Sequence, residues 1–269
     1  MTRHQLHSSA WRRLYPDVYA CAGLEITHEL RCLAVTQVLL PGAVACGRSA
    51  ATLWGVDLAG AGDPVECIVP TTCRSGTLPG VLLTRRSRPA TEVTARRGIP
   101  TTSAMRTALD LARIRPLDEA VVAMDQFLVP GLVFLSDVRA AADSLIGRDC
   151  RHVRRVTRLA DGLAGSPQET RLRLLIHRSD LPAPVAQYRV RVGDRAVARV
   201  DFAWPVQKLA VEYEGQWHGE RQQVARDRRR LNDLTRAGWR VIFATAADLH
   251  DPLRLIARLT EALFPPRSA

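Results

Sequence analysis

The stretch RVDFAWPVQKLAVEYEGQWH, residues 199–218, constrains this chain more than any other. Side chains alternate between the two faces of a strand. The pattern therefore predicts an antiparallel hairpin with Ala203 and Lys208 as the last residues before a four-residue loop, Trp204 to Gln207. In that register Asp201 lies opposite Ala210, and Arg199 opposite Glu212. Val200, Phe202, Leu209, Val211 and Tyr213 share one face, and all are apolar. Arg199, Asp201, Ala203, Lys208, Ala210, Glu212 and Glu214 share the other. Asp201 and Glu212 become diagonal cross-strand neighbours, roughly 7 Å apart at Cβ, within reach of one divalent cation. Two readings stay open: a metal-dependent acidic site, or a half-buried hairpin with a charged, solvated outer face.

The charge balance bears on that choice. With 269 residues, 46% of them hydrophobic and 24% charged, the chain can bury a core as one large domain or two to three small ones. The formal net charge is +11. Residues 151–269 hold 22 Lys and Arg against 13 Asp and Glu, whereas residues 1–150 hold 16 against 14. A basic region enclosing a small acidic cluster suits a nucleic-acid backbone and a metal ion. Lys208 is the only lysine, which points to a coding bias and weakens arginine preference as a sign of phosphate binding. Cys21, Cys32, Cys46, Cys67, Cys73 and Cys150 lack the paired spacing of zinc ligands and read as reduced, mostly buried thiols. The N-terminal MTRHQLHSSAWRRL has no apolar core of a signal peptide. The run from Cys32 to Cys46 contains Thr36, Gln37 and Pro41 and is too short to span a bilayer. A soluble cytoplasmic protein with no membrane partner is expected.

In chain order, residues 11–20 read as two short extended pieces around Pro16 and Asp17. Residues 26–40 have helical spacing, stopped by Pro41 and Gly42, and a second helix is expected after Ser49 as its N-cap. Strands follow between Val65 and Val93, then helices over Met105–Ile114, Leu117–Leu128 and 131–145. The polar, arginine-rich 146–165 reads as a link between halves. Ser166, Pro167 and Glu169 form a capping box for the next helix. Glu169 also falls on the stripe of Leu172 and Ile176, so it is a cap, a third carboxylate aimed at the hairpin, or both. Val185, Tyr188, Val190 and Val192 mark a strand ending at the Gly193–Asp194 turn. A helix from Arg221 to Arg236, closed by Gly238, carries Asp227 on its apolar stripe of Val224, Leu231 and Leu234. His218 and Arg230 are candidate partners for it. Arg226, Arg228, Arg229 and Arg230 form either a solvated or a phosphate-binding run. A strand at 239–243 and a helix from Pro252 to Leu263 complete the chain.

Two resemblances extend this reading. QLHSSAWRRLYPDVYA, GRSAATLWG and PTTSAMRTALDLA (100–112) resemble AbiEi-type antitoxin proteins over roughly residues 1–145. That likeness implies a degenerate winged-helix region over 1–60 and a small α/β domain over 61–150. It also implies a toxin or other protein as a candidate partner. A winged helix reads DNA with its second helix in the major groove. Farther on, DF-x-W-P…KLAVEYEG…H…RDRRRLNDLTRAGWRV resembles domains related to very-short-patch-repair endonucleases, within the PD-(D/E)XK superfamily, over 160–266. The fold class implied is α+β, with a restriction-endonuclease-like mixed sheet flanked by helices. By that likeness Asp201 and Glu212 would hold Mg²⁺ (or Mn²⁺), and Glu169 would bind it directly or through water. Glu214 would assist, His218 would act as general acid/base or contact the phosphate, and Asp227 would orient it. Lys208, Arg226, Arg229 and Arg230 would contact DNA. The implied activity is Mg²⁺-dependent DNA cleavage in repair or phage defence. Two departures keep other classes open: Glu214 stands where the superfamily has lysine, and Ile242–Phe243 where relatives carry arginine. The alternatives are a non-catalytic DNA-binding regulator or antitoxin, and a protein-interaction module.

Overall fold

The structure, a computed structural model, describes residues 6, 8–87, 89–215 and 221–265, with the backbone only for 221–227. Two units, Met1–Arg158 and Leu159–Ala269, each combine helices with a mixed sheet, so the class is α+β.

In the first unit, β1 (Trp11–Tyr15) and β2 (Val18–Cys21) pair through a tight turn with Asp17 at φ +58. Helix α1 (His28–Ala34) starts at Thr27, whose hydroxyl accepts the Leu30 N–H at 3.1 Å. Five strands then build one sheet: β3 (Val44–Ala45), β4 (Val65–Val69), β5 (Val81–Arg85), β6 (Val93–Arg96) and β7 (Ile99–Thr102), in the order β5-β4-β3-β7-β6. The division drawn at residue 60 falls inside this unit. β3 pairs with β4 across it, and Tyr15, Cys32, Leu53, Val65 and Ile99 share one core cluster.

Helix α2 (Gly47–Leu53) begins at an N-cap of Cys46, earlier than expected. The acceptor that Ser49 was expected to provide comes from Glu66, whose carboxylate takes the Arg48 N–H at 3.0 Å. Ser49 is wholly buried instead. Its hydroxyl accepts the Glu66 N–H at 2.9 Å and lies 2.8 Å from His28 Nε2. Gly60 O, 3.0 Å from His28 Nδ1, can only accept, so Nδ1 carries the proton and Nε2 of the neutral ring accepts from Ser49. A buried imidazole with both nitrogens committed this way is held neutral, and burial lowers its pKa.

Helices α3 (Ala104–Leu111), α4 (Leu117–Leu128), α5 (Leu135–Asp143) and α6 (Cys150–Leu159) follow. Helix α6 replaces the expected link. Its Val153 and Val156 are fully buried, and Arg154 donates to the carbonyls of Ala142, Asp143 and Leu145 at 3.2, 3.0 and 2.7 Å. Those lie in and just beyond the last turn of α5, where carbonyls are left without intrahelical partners.

The second unit contains α7 (Pro167–His177), β8 (Val185–Val192), β9 (Arg195–Trp204), β10 (Leu209–Tyr213), α8 (Arg221–Arg236), β11 (Arg240–Ala244), α9 (Ala246–His250) and α10 (Pro252–Leu263). The sheet order is β11-β10-β9-β8, with an antiparallel meander and β11 parallel to β10. A parallel neighbour needs a crossover, and α8 supplies it. On one side Leu172, Ile176, Phe202, Leu209, Val211, Ile242 and Leu255 form a core; on the other, Val190, Ala203, Ala210, Leu234 and Trp239 do. Strand β10 is thus covered on both faces.

The hairpin forms, but two residues away from the expected register. Trp204 pairs with Leu209, Ala203 with Ala210 and Phe202 with Val211, leaving Pro205–Lys208 as the loop. Trp204 decides this. Its ring is buried and its Nε1–H donates to Pro182 O at 2.7 Å, so it extends the strand. A slip of two preserves the faces, and the ladder ends at the Phe202–Val211 pair, one residue short of Asp201 and Glu212. The polar face is not solvated, because Ala203 and Ala210 are fully buried beside Leu234. Val200 leaves the company of Phe202 and packs with Val190 and Trp239. Between the Ala186–Phe202 and Tyr188–Val200 pairs lies Gln187 at φ +50, and the pairs on either side of it face opposite cores.

Candidate acidic site

Glu212 is the next-to-last residue of β10 and is 7% exposed. Arg230, two turns from the end of α8, donates Nη1 to Oε1 at 2.6 Å and Nη2 to Oε2 at 2.7 Å. This is a bidentate fork, the strongest ordinary ion-pair geometry. Asp201 Oδ2 accepts the N–H of Tyr213 at 2.9 Å, beyond the last β9–β10 pair. Glu169 occupies the third position of α7, after the N-cap Ser166. Its N–H donates to the Ser166 hydroxyl at 3.2 Å, and its carboxylate accepts from Gly165 N at 2.8 Å and Gln187 Nε2 at 2.9 Å.

These carboxylates feel one another. Burial raises the Asp201 pKa to about 6; the Tyr213 N–H lowers it, the charges of Glu169 and Glu212 raise it, and Arg230 lowers it. Between pH 3.8 and about 6 the folded chain therefore holds a proton that the unfolded chain has lost, and stability falls as pH rises through that window. Asp201→Asn keeps an oxygen for Tyr213 N–H and removes the penalty. It should stabilise the second unit by about 1–2 kcal/mol at pH 7, after discounting for partial exposure. The gain should vanish below about pH 4 in denaturant titrations. An unchanged difference across that range would show that Asp201 titrates normally.

The other expected site residues are placed differently. Glu214 is exposed, and its N–H continues the ladder to Ala244 O at 2.8 Å. Lys208 Nζ donates to Ala237 O at 3.1 Å, so it caps the end of α8. Arg229 is exposed. Arg230, expected on DNA, is engaged with Glu212. His218 and the side chains of Arg226 and Asp227 lie outside the described residues.

Carboxylate oxygens are suitable ligands for a hard cation such as Mg²⁺. As placed, however, both Glu212 oxygens face Arg230, and Glu169 Oε2 accepts from both Gly165 and Gln187. Among the described residues, no group of three or more His, Cys, Asp or Glu is placed to hold a metal ion. The positive charge at Glu212 in this arrangement is a guanidinium. Sequence reasoning missed Gln187 and the role of Arg230. The first left a signal: apolar alternation slips by one between Val185 and Tyr188.

A model of the AbiEi antitoxin C-terminal domain matches residues 43–161, a span that starts after β1, β2 and α1 and runs through α6. The uncharacterized proteins MT2308 and Rv2248, from two strains of Mycobacterium tuberculosis, are each 30% identical over 277 residues, covering 100% of this chain and 100% of theirs. The chain belongs to the family of these two proteins and carries an AbiEi antitoxin C-terminal domain. No solved structure matches it. Among the described residues, no helix is long and apolar enough to cross a membrane.

Proposed function

We propose that the protein is a DNA-binding, antitoxin-like regulator, with a toxin or another protein as its second partner. The observation that carries this reading is the antitoxin-domain match over 43–161. The bidentate hold of Arg230 on Glu212 supports a non-catalytic second unit, because the most buried carboxylate of the cluster already has its counter-charge. The basic balance of the whole chain, +11, favours a phosphate-bearing ligand.

A second reading, a Mg²⁺-dependent endonuclease in DNA repair or phage defence, draws on one observation. The charges of Glu169 and Glu212 both raise the proton affinity of Asp201, as carboxylates gathered for a cation would. Supercoiled plasmid incubated with Mg²⁺ or Mn²⁺ and with wild type or Glu212→Ala separates the two. The regulator reading expects salt-sensitive binding and no nicking by either protein. Nicking by wild type that Glu212→Ala abolishes would replace it with the endonuclease. Absence of binding even at low salt would remove DNA as a partner.

A further inference from the structure

We propose that the outer face of α6 is a docking surface for the phosphate backbone of duplex DNA. The proposal rests on the DNA-binding part of the function above and places a contact surface within the antitoxin-matched unit. Helix α6 reads CRHVRRVTRL and contains no acidic residue. Its basic residues divide into two sets. The inner set is used by the fold: Arg154 holds the end of α5, and His152 Nε2 lies 2.9 Å from Ile114 O. The acids nearest in sequence are also engaged, Asp149 with Arg115 at 2.8 Å and Asp143 with Arg154 at 3.7 Å. The outer set is Arg151, Arg155 and Arg158, at i, i+4 and i+7 on one helical face, with Arg148 three residues ahead of it. All four are exposed. None has an acidic partner among the described residues.

This arrangement opposes the fold that carries it. Like charges four residues apart on a helix repel, and Arg148 and Arg151 lie at the helix end where the backbone dipole already presents positive charge. A polyanion relieves both terms. From Arg148 to Arg158 the face extends about 15 Å at helical rise, comparable to four or five phosphates of one strand at about 3.4 Å each. Guanidinium groups suit phosphate oxygens, which they bind in a planar fork. A membrane surface is a poor match. An interfacial helix needs a free apolar face, and here Val153 and Val156 are fully buried.

The test uses the full chain and its variant carrying Arg148→Gln, Arg151→Gln, Arg155→Gln and Arg158→Gln. Binding to a labelled random-sequence DNA duplex is followed by anisotropy across a salt series. The expected result is a slope of log K against log salt lowered by about 3 to 4, since each phosphate contact contributes about 0.9. Affinity at low salt should fall about tenfold or more, with a melting temperature equal to or above that of wild type. The same four positions as lysine should restore most of the slope. Should the glutamine variant fail to fold, the double variant Arg151→Gln, Arg155→Gln is expected to lose about half of that slope. Wild-type binding with an unchanged slope in the variants overturns the assignment to α6 and leaves the proposed function standing. No binding by wild type overturns both. Clear preference for an RNA duplex of the same sequence overturns DNA as the ligand of this face.

Discussion

Arg230→Ala should destabilise the second unit by about 3 kcal/mol, and Glu212→Gln added to it should recover most of that loss. Removing one partner of a buried ion pair costs about 3–5 kcal/mol, because the remaining charge stays desolvated and uncompensated. Glu212 is in that position: its side chain is 9% exposed, on a strand covered on both faces, with Asp201 and Glu169 adding like charge. Arg230 is 30% exposed and can turn toward water, which places the expected cost at the lower end of the range. The same exposure makes the pair asymmetric. Glu212→Gln alone should cost less than Arg230→Ala, since the stranded guanidinium can be hydrated. Denaturant-dependent hydrogen exchange at the β10 amides reads this locally. If Arg230→Ala lies within about 0.5 kcal/mol of wild type, water rather than the arginine satisfies Glu212, and the support the pair gives to a non-catalytic reading is lost.

Gly47→Ala should cost the first unit about 3 kcal/mol, against about 1 kcal/mol for Glu66→Ala. Gly47 has φ +53 and opens α2, and a Cβ there would collide with Glu66 Oε2. Two separate penalties result. A left-handed backbone costs an alanine about 1–3 kcal/mol. The displaced carboxylate also abandons the Arg48 N–H, a cap worth about 1 kcal/mol. Glu66→Ala incurs the second penalty alone. The double variant should therefore be less destabilised than the sum of the singles, because the collision partner is gone. Thermal unfolding by circular dichroism distinguishes these cases. Equal melting temperatures for the two single variants would mean that the helix start relaxes around an added methyl group.

Much of this architecture was legible in the residues. The Ser166 N-cap, the 117–128 helix and the meander all follow from periodicity and cap chemistry. The register did not, because a four-residue loop could be drawn from Trp204 or from Pro205, and only the hydrogen bond from its indole to Pro182, 22 residues earlier, decides between them. Helix α6 was hidden by composition. Five arginines within 148–158 look like a linker until Val153 and Val156 find a core. Cutting the sequence at 150 also assigned four of those charges to the wrong half. Divided at the unit boundary, residues 1–158 hold 20 basic against 14 acidic residues, and 159–269 hold 18 against 13. The apparent charge asymmetry disappears, and with it the reason to seek DNA contacts only near the hairpin. Arg230 was read as one of a run. A 3.6-residue period tells which residues share a helical face, but not which strand that face covers.

The left-handed backbone at Gln187 has an effect beyond aiming an amide at Glu169. Strand β8 ends the sheet order of its unit, so its outer row of N–H and C=O groups is a template for another chain. A long, straight margin of this kind invites edge-to-edge association. Here the margin bends at Gln187, loses regular pairing again between Val190 and Arg191, and presents Arg189 and Arg191 to solvent. Only short segments remain straight enough to accept a foreign strand. The irregularity that completes the acidic cluster thus also protects the sheet from aggregation.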